Sequence, residues 1–116
     1  MKKQSPKSVP QIFRQGDVLI ERVDAIPAGA ALRERDKGRV ILAYGEVTGH
    51  AHAIDDSVEA PTAVLLDSVD GLAFLKVDAL SRLVHEEHST IELAPGNYRI
   101  TTQREYEPEG WRRVAD

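Results

Sequence analysis

The sequence predicts a small antiparallel all-β domain, a sandwich or barrel, over residues 12–116, preceded by a flexible N-terminal arm over residues 1–11. Two observations carry this. Short runs rich in β-branched and apolar residues recur along the chain, and Gly, Pro and Asp interrupt them roughly every ten residues, the spacing of strands and tight connections.

The arm, MKKQSPKSVPQ, combines charge, Ser and two prolines with almost no apolar content, so it has little to bury. Gly16-Asp17 marks a turn, and Val18 to Val23 follows as a strand with at least one buried face. Pro27 and Gly29 end it. Ala30 to Arg35 suits a short helical turn, and Asp36-Lys37-Gly38 reads as a turn feeding a strand from Arg39 to Tyr44. Gly45 and Gly49 lie close enough to suggest a bulge or tight corner beside the strand that carries His50-Ala51-His52-Ala53-Ile54. Val64 to Leu66 and Leu72 to Val77 flank an Asp70-Gly71 hairpin signal. Thr90 to Leu93 and Tyr98 to Gln103 alternate on either side of Ala94-Pro95-Gly96-Asn97, which predicts a second hairpin closed by a type II turn, since Pro presets φ and Gly accepts φ > 0. One segment carries two patterns. Residues 78–88, DALSRLVHEEH, place Leu80, Leu83, Val84 and Glu87 at helical spacing, yet Arg82 to His85 also suits a strand between strands. The strand is favoured, with a short helix as the alternative.

Composition bounds the function. The chain has 116 residues with 15 Lys and Arg against 19 Asp and Glu, a net charge of −4. A chain of this size buries about two-thirds of its unfolded surface, so its core needs no metal or disulfide staple. The acidic balance argues against nucleic acid, whose phosphates call for clustered Lys and Arg. The absence of cysteine removes disulfides, thiolate metal sites and Cys nucleophiles, so any metal is held by nitrogen and oxygen. No apolar segment approaches the roughly 18 residues of a membrane span, and none marks a secretory signal, which sets the expectation of a cytoplasmic protein without a membrane partner.

The four histidines fall into two tight pairs, His50 with His52 and His85 with His88. Side chains two apart on a strand share a face, so His50 and His52 can converge on one ion. His85 and His88 converge only on a helix or around a turn, with Glu86 and Glu87 beside them as carboxylate ligands or, for Glu87, a general base. Imidazole and carboxylate suit divalent Zn, Fe, Ni or Mn. HEEH is not the zincin motif, which separates its histidines by three residues. The sequence shows neither a P-loop nor a G-x-S-x-G nucleophile elbow. Arg104 and Tyr106, with Trp111 and the following Arg pair behind them, are candidates to bind a small polar anion, because guanidinium forks match carboxylate and phosphate. The rival readings are metal-free acid–base catalysis by His85 and Glu87, and a non-enzymatic accessory protein whose histidines lie at an interface. Exposed β edges make a homo-oligomer, a dimer in the simplest case, compatible with any of them.

The run from Gly45 to His52 resembles the first half of the cupin metal motif, in which a glycine leads to H-x-H on a strand and an acidic ligand follows. That resemblance implies a cupin-like β fold, a metal on the histidines, and Asp56 in the place of the acidic ligand. The cupin P-x-G turn precedes its last His, whereas Pro95-Gly96 here follows the second pair. The strings RQGDVLIERV, YGEVTGHAHAI, LVHEEHSTIELAPGNYRI and QREYEPE, spanning residues 14–109, resemble a group of short bacterial and phage-associated proteins. This implies a bacterial or phage source and a compact β fold, and names no reaction.

Overall fold

The structure is a computed structural model that describes residues 12–45, 47 and 49–103. The N-terminal arm expected over residues 1–11 lies outside the described residues, as do Arg104, Tyr106 and Trp111. Ten strands follow one another with no helix among the described residues: β1 (Ile12–Gln15), β2 (Val18–Val23), β3 (Ala31–Leu32), β4 (Ile41–Tyr44), β5 (Ala51–Ile54), β6 (Ala63–Asp67), β7 (Ala73–Val77), β8 (Ser81–Val84), β9 (Ile91–Leu93) and β10 (Gly96–Thr102). They build two antiparallel sheets, one ordered β1-β2-β10-β7-β6-β3 and the other β4-β5-β8-β9. The all-β expectation stands, and the helix alternative over 78–88 is overturned. Ser81 and Leu83 are buried while Arg82 is exposed, so alternation with period two wins over the helical spacing of the same segment.

The core lies between the sheets. Val18 and Ile20 of β2, Leu75 and Val77 of β7, and Tyr98 and Ile100 of β10 meet Leu42, Ile54, Leu83 and Leu93 of the smaller sheet in one apolar cluster. Ile41, Ala51 and Ala53 form a second cluster. By strand alternation they occupy the opposite face of β5 from Ile54.

Several turns follow their residues. Gly16-Asp17 closes β1 onto β2, with Gln15 opposite Val18 and Gly16 at φ +59°. Lys37 and Gly38 both adopt positive φ, 54° and 83°, between the reciprocal amide bonds of Asp36 and Arg39, as a twisted two-residue hairpin requires. Asp70-Gly71 joins β6 and β7 as expected. Ala31–Leu32 is a short edge strand on β6, not a helical turn.

The second hairpin does not form. β9 pairs with β8, while β10 runs between β2 and β7 in the other sheet. Ala94-Pro95 is therefore a corner where the chain changes sheets. Arg22 holds it, donating one bond to the Pro95 carbonyl (2.8 Å) and one to the Tyr98 hydroxyl (3.0 Å), which itself donates to the Ala94 carbonyl at 2.6 Å. Gly96 has φ +153°, and a methyl group there would sit 2.5 Å from the Arg22 guanidinium. Glycine suits this corner because its positive φ is one that side chains rarely adopt, although that φ is not the value of a type II turn.

A half-buried ion pair fixes the loop after β5. Both Asp56 oxygens accept from Arg35 at 2.9 Å, and the Thr62 amide donates to one of them at 2.8 Å. The Asp56 side chain is fully covered. This corrects the role implied by the cupin resemblance, because the Asp56 carboxylate is engaged as a structural acceptor. Burial is the largest single influence on it and pushes its pKa up, but Arg35 and the Thr62 and Ala63 amides together hold it below the ordinary value of 3.8.

Two predictions follow from these contacts. Tyr98→Phe leaves the Ala94 carbonyl and Arg22 without their shared hydroxyl, and is expected to lower unfolding free energy by about 1–3 kcal/mol in urea titrations. Asp56→Asn removes the charge facing Arg35 and should cost about 1–3 kcal/mol, the range of hydrogen bonds to charged groups. Because the native Asp56 pKa is depressed, the pair's stabilisation is fully present above the unfolded value near 3.8 and is lost as pH falls from there through the folded one. Melting scans across acid pH should show a fall in that window for the wild type and a smaller one for Asp56→Asn.

Candidate metal centre

Strand pairing brings the two histidine pairs together. β5 and β8 are antiparallel, with Ala53 opposite Val84 and Ile54 opposite Leu83. Continued towards the ends of the strands, that register sets His52 opposite His85, Ala51 opposite Glu86 and His50 opposite Glu87. Each juxtaposition appears in the side chains. The His52 and His85 rings lie 4.3 Å apart between centroids, the Ala51 amide donates to Glu86 Oε1 at 3.0 Å, and His50 Nδ1 stands 3.5 Å from Glu87 Oε2.

Alternation explains the shared face. His50 and His52 point as Ile54 does, and His85 as Ser81 and Leu83 do, towards the space between the sheets. The chain leaves β8 after Val84 and turns through residues 85–88, so His85 and His88 meet around a turn, with centroids 4.7 Å apart. His88 also stacks on His52 at 5.9 Å and 17°, and His50 meets His85 edge-on at 5.8 Å. All four imidazoles of the chain thus form one group. His52 is buried, His50 and His85 are half-buried, and His88 is exposed.

Glycines make room for these rings. A methyl group at Gly45 would lie 3.1 Å from His85 Nε2 and 3.0 Å from His50 Cβ, and one at Gly16 would lie 2.7 Å from His88 Nε2. Gly45 also closes the β4–β5 connection, its amide donating to the His50 carbonyl at 2.8 Å. The expected tight corner is therefore a spacer for the histidine group.

Hydrogen bonds distinguish the rings. Gln15, 2% exposed, places its Oε1 2.8 Å from His52 Nδ1. Beyond His52, the Nε2 nitrogen lies 3.8 Å from Asp17 Oδ1. His85 Nδ1 accepts the Glu87 amide at 3.0 Å, so the neutral His85 ring carries its proton on Nε2. His50 Nδ1 is buried and has no hydrogen-bond partner. The Ala51 amide is the main cause that holds the Glu86 carboxyl below its ordinary range, so Glu86 is charged at neutral pH beside the imidazoles.

His50, His85 and Glu86 each present a ligand atom within 4.8 Å of the other two, a spacing compatible with a common cation. Glu87 adjoins from the solvent side, with its side chain 60% exposed. Sequence reasoning missed Gln15 and Asp17, because nothing in QGD separates a buried acceptor from an ordinary turn flank. A cleft of about 330 Å³ opens elsewhere among Leu42, Tyr44, Leu72, Ile100 and Thr102, and no histidine lines it.

No helix among the described residues is long and apolar enough to cross a membrane. No curated protein and no solved structure matches the chain. A family profile does match, over residues 14–103, and by that match the chain belongs to the family described as Domain of unknown function (DUF8820).

Proposed function

We propose that this β domain binds a divalent metal, Zn, Fe, Ni or Mn, through His50, His52, His85 and His88, with Glu86 or Glu87 completing the donor set. The observation that carries this reading is the gathering of the histidines from two distant stretches of chain, with four of their ring pairs 4.3 to 5.9 Å apart between centroids and with His50, His85 and Glu86 presenting ligand atoms within 4.8 Å of one another. Nitrogen and oxygen donors without thiolate suit these borderline cations. The buried Nδ1 of His50, which makes no hydrogen bond and stands 3.5 Å from the Glu87 carboxylate, supports the same reading, since a buried polar atom calls for a close partner. Binding through His85 Nε2 exchanges its proton and displaces the Glu87 amide from Nδ1, so loading reorganises the 85–88 turn.

A metal with an open coordination position polarises a small polar substrate or activates water. Glu87, exposed at the rim and 3.5 Å from His50, is the group placed to move a proton there. The reading keeps the cupin-like character and the bacterial or phage setting that the sequence motifs imply.

Metal analysis of protein purified without a His tag tests it. Stoichiometric metal, or saturable uptake on adding Zn, Ni, Fe or Mn, is expected, and its absence at neutral pH removes the proposal. The double substitution His50→Ala and His52→Ala should abolish uptake while circular dichroism stays that of a β protein. Altered assembly in gel filtration with unchanged metal content would instead favour histidines at an interface between copies. Gly45→Ala, which drives a methyl group towards His50 and His85, is expected to weaken metal binding by roughly tenfold or more, on the scale of lost supporting contacts, as read by competition with a chromogenic chelator.

A further inference from the structure

The Gln15 amide has only one chemically consistent orientation. Its Nε2 lies 3.0 Å from the Leu83 carbonyl and 2.9 Å from the Ser89 carbonyl. Exchanging nitrogen and oxygen would set Oε1 against two carbonyl oxygens, acceptor facing acceptor. Both N–H groups of the amide are thus committed, and Oε1 faces His52 as an acceptor. An acceptor 2.8 Å from His52 Nδ1 requires a proton on that nitrogen. In the neutral ring the lone pair then belongs to Nε2, which faces Asp17.

We infer that Gln15 is the positioning residue of the histidine group, fixing the proton of His52 on Nδ1 and presenting Nε2 as the electron-pair donor. Three features strengthen this. Gln15 is almost wholly excluded from water, so its bonds do not compete with solvent. It ends β1 in the larger sheet, whereas Leu83 lies on β8 of the smaller one, so its bonds span the gap between sheets. Its third partner, Ser89, follows His88 directly, so the same amide that orients His52 also ties down the turn that carries the second pair. A ring nitrogen hydrogen-bonded to a fixed acceptor, which holds the ring's orientation and tautomer, is the support that metal-ligating histidines need. The consequence for affinity rests on the metal-binding reading, whereas the tautomer itself does not.

The tautomer is read directly by long-range ¹H–¹⁵N correlation of the histidine rings, in metal-stripped protein at roughly pH 8, above the ordinary imidazole range near 6.5. The wild type is expected to show His52 with a protonated Nδ1 and an unprotonated Nε2. Gln15→Met, which fills the space without an acceptor, should release that preference and weaken metal binding by about 10–100-fold. Gln15→Glu keeps an oxygen for Nδ1–H, but a carboxylate has no hydrogen to donate to either carbonyl and a protonated carboxyl has only one. It should therefore lose stability yet keep Nδ1 protonated, with an affinity much nearer the wild type than that of Gln15→Met. A wild-type His52 protonated on Nε2 overturns the inference, and so does a folded Gln15→Met protein with the wild-type tautomer. If Gln15→Met does not fold, the wild-type spectrum and Gln15→Glu still decide, because loss of the Nδ1 proton in Gln15→Glu counts against the assignment. Absence of metal uptake alongside the expected tautomer would remove the metal reading and leave the positioning role standing.

Discussion

The antiparallel register between β5 and β8 is the constraint from which the site follows. A slip of one residue would turn His50 and His52 to the opposite face, beside Ile41, and away from His85. Apolar packing holds the register. Ile54 and Leu83 stand opposite one another and are both buried in the core between the sheets, so a slip would separate them, and turning β8 over would expose Leu83 and bring the exposed Arg82 inwards. The imidazoles occupy the next positions along the same two strands, beyond the apolar pair. The hydrophobic effect thus sets the geometry of a polar group that it would not stabilise by itself.

Local structure was legible in the sequence where a residue type and its neighbours decide the conformation. Val18 to Val23 forms a strand with the expected bounds, and Gly16-Asp17, Lys37-Gly38 and Asp70-Gly71 all turn the chain. Pairing across the molecule was not legible. Residues 90–103 look like a hairpin because Pro95-Gly96 sits between two alternating stretches, but β9 and β10 belong to different sheets. The corner is bound by Arg22, more than seventy positions away, which donates to the Pro95 carbonyl and the Tyr98 hydroxyl. No local pattern encodes that contact. The same limit governs the site. Two tight histidine pairs are visible in the sequence, but β6 and β7 intervene between β5 and β8 and pair in the other sheet, so their meeting depends on the chain's route between sheets.

The histidine group also departs from what stability alone would select. His52 is buried between the apolar Ala51 and Ala53, Gln15 is buried at the end of β1, and Gly16 and Gly45 leave out side chains that would otherwise fill the volume taken by rings. An apolar residue at either polar position would avoid the desolvation of an imidazole or an amide. Breaks in local rules of this kind concentrate at functional sites, where polarity is retained for what it does. The Arg35–Asp56 pair is different. Its two partners, one in the loop before β4 and one in the loop after β5, satisfy each other, so it accounts for itself as structure.

The rings in the group are not equivalent, and this orders how an ion would be taken up. His52 keeps its Nδ1 bond to Gln15 while an ion approaches from the Nε2 side, where Asp17 stands 3.8 Å away. His50 has a buried Nδ1 with no hydrogen bond to give up. His85 must release the Glu87 amide before Nε2 can bind through a lone pair, and Glu87 lies in an exposed turn where its amide can turn to water. The β5 pair is therefore the preformed half of the site, set by the sheet and by Gln15, and the 85–88 turn is the half that adjusts. Such a division reconciles a rigid scaffold with entry of a cation from solvent, because the elements that must move are those with the least buried surface.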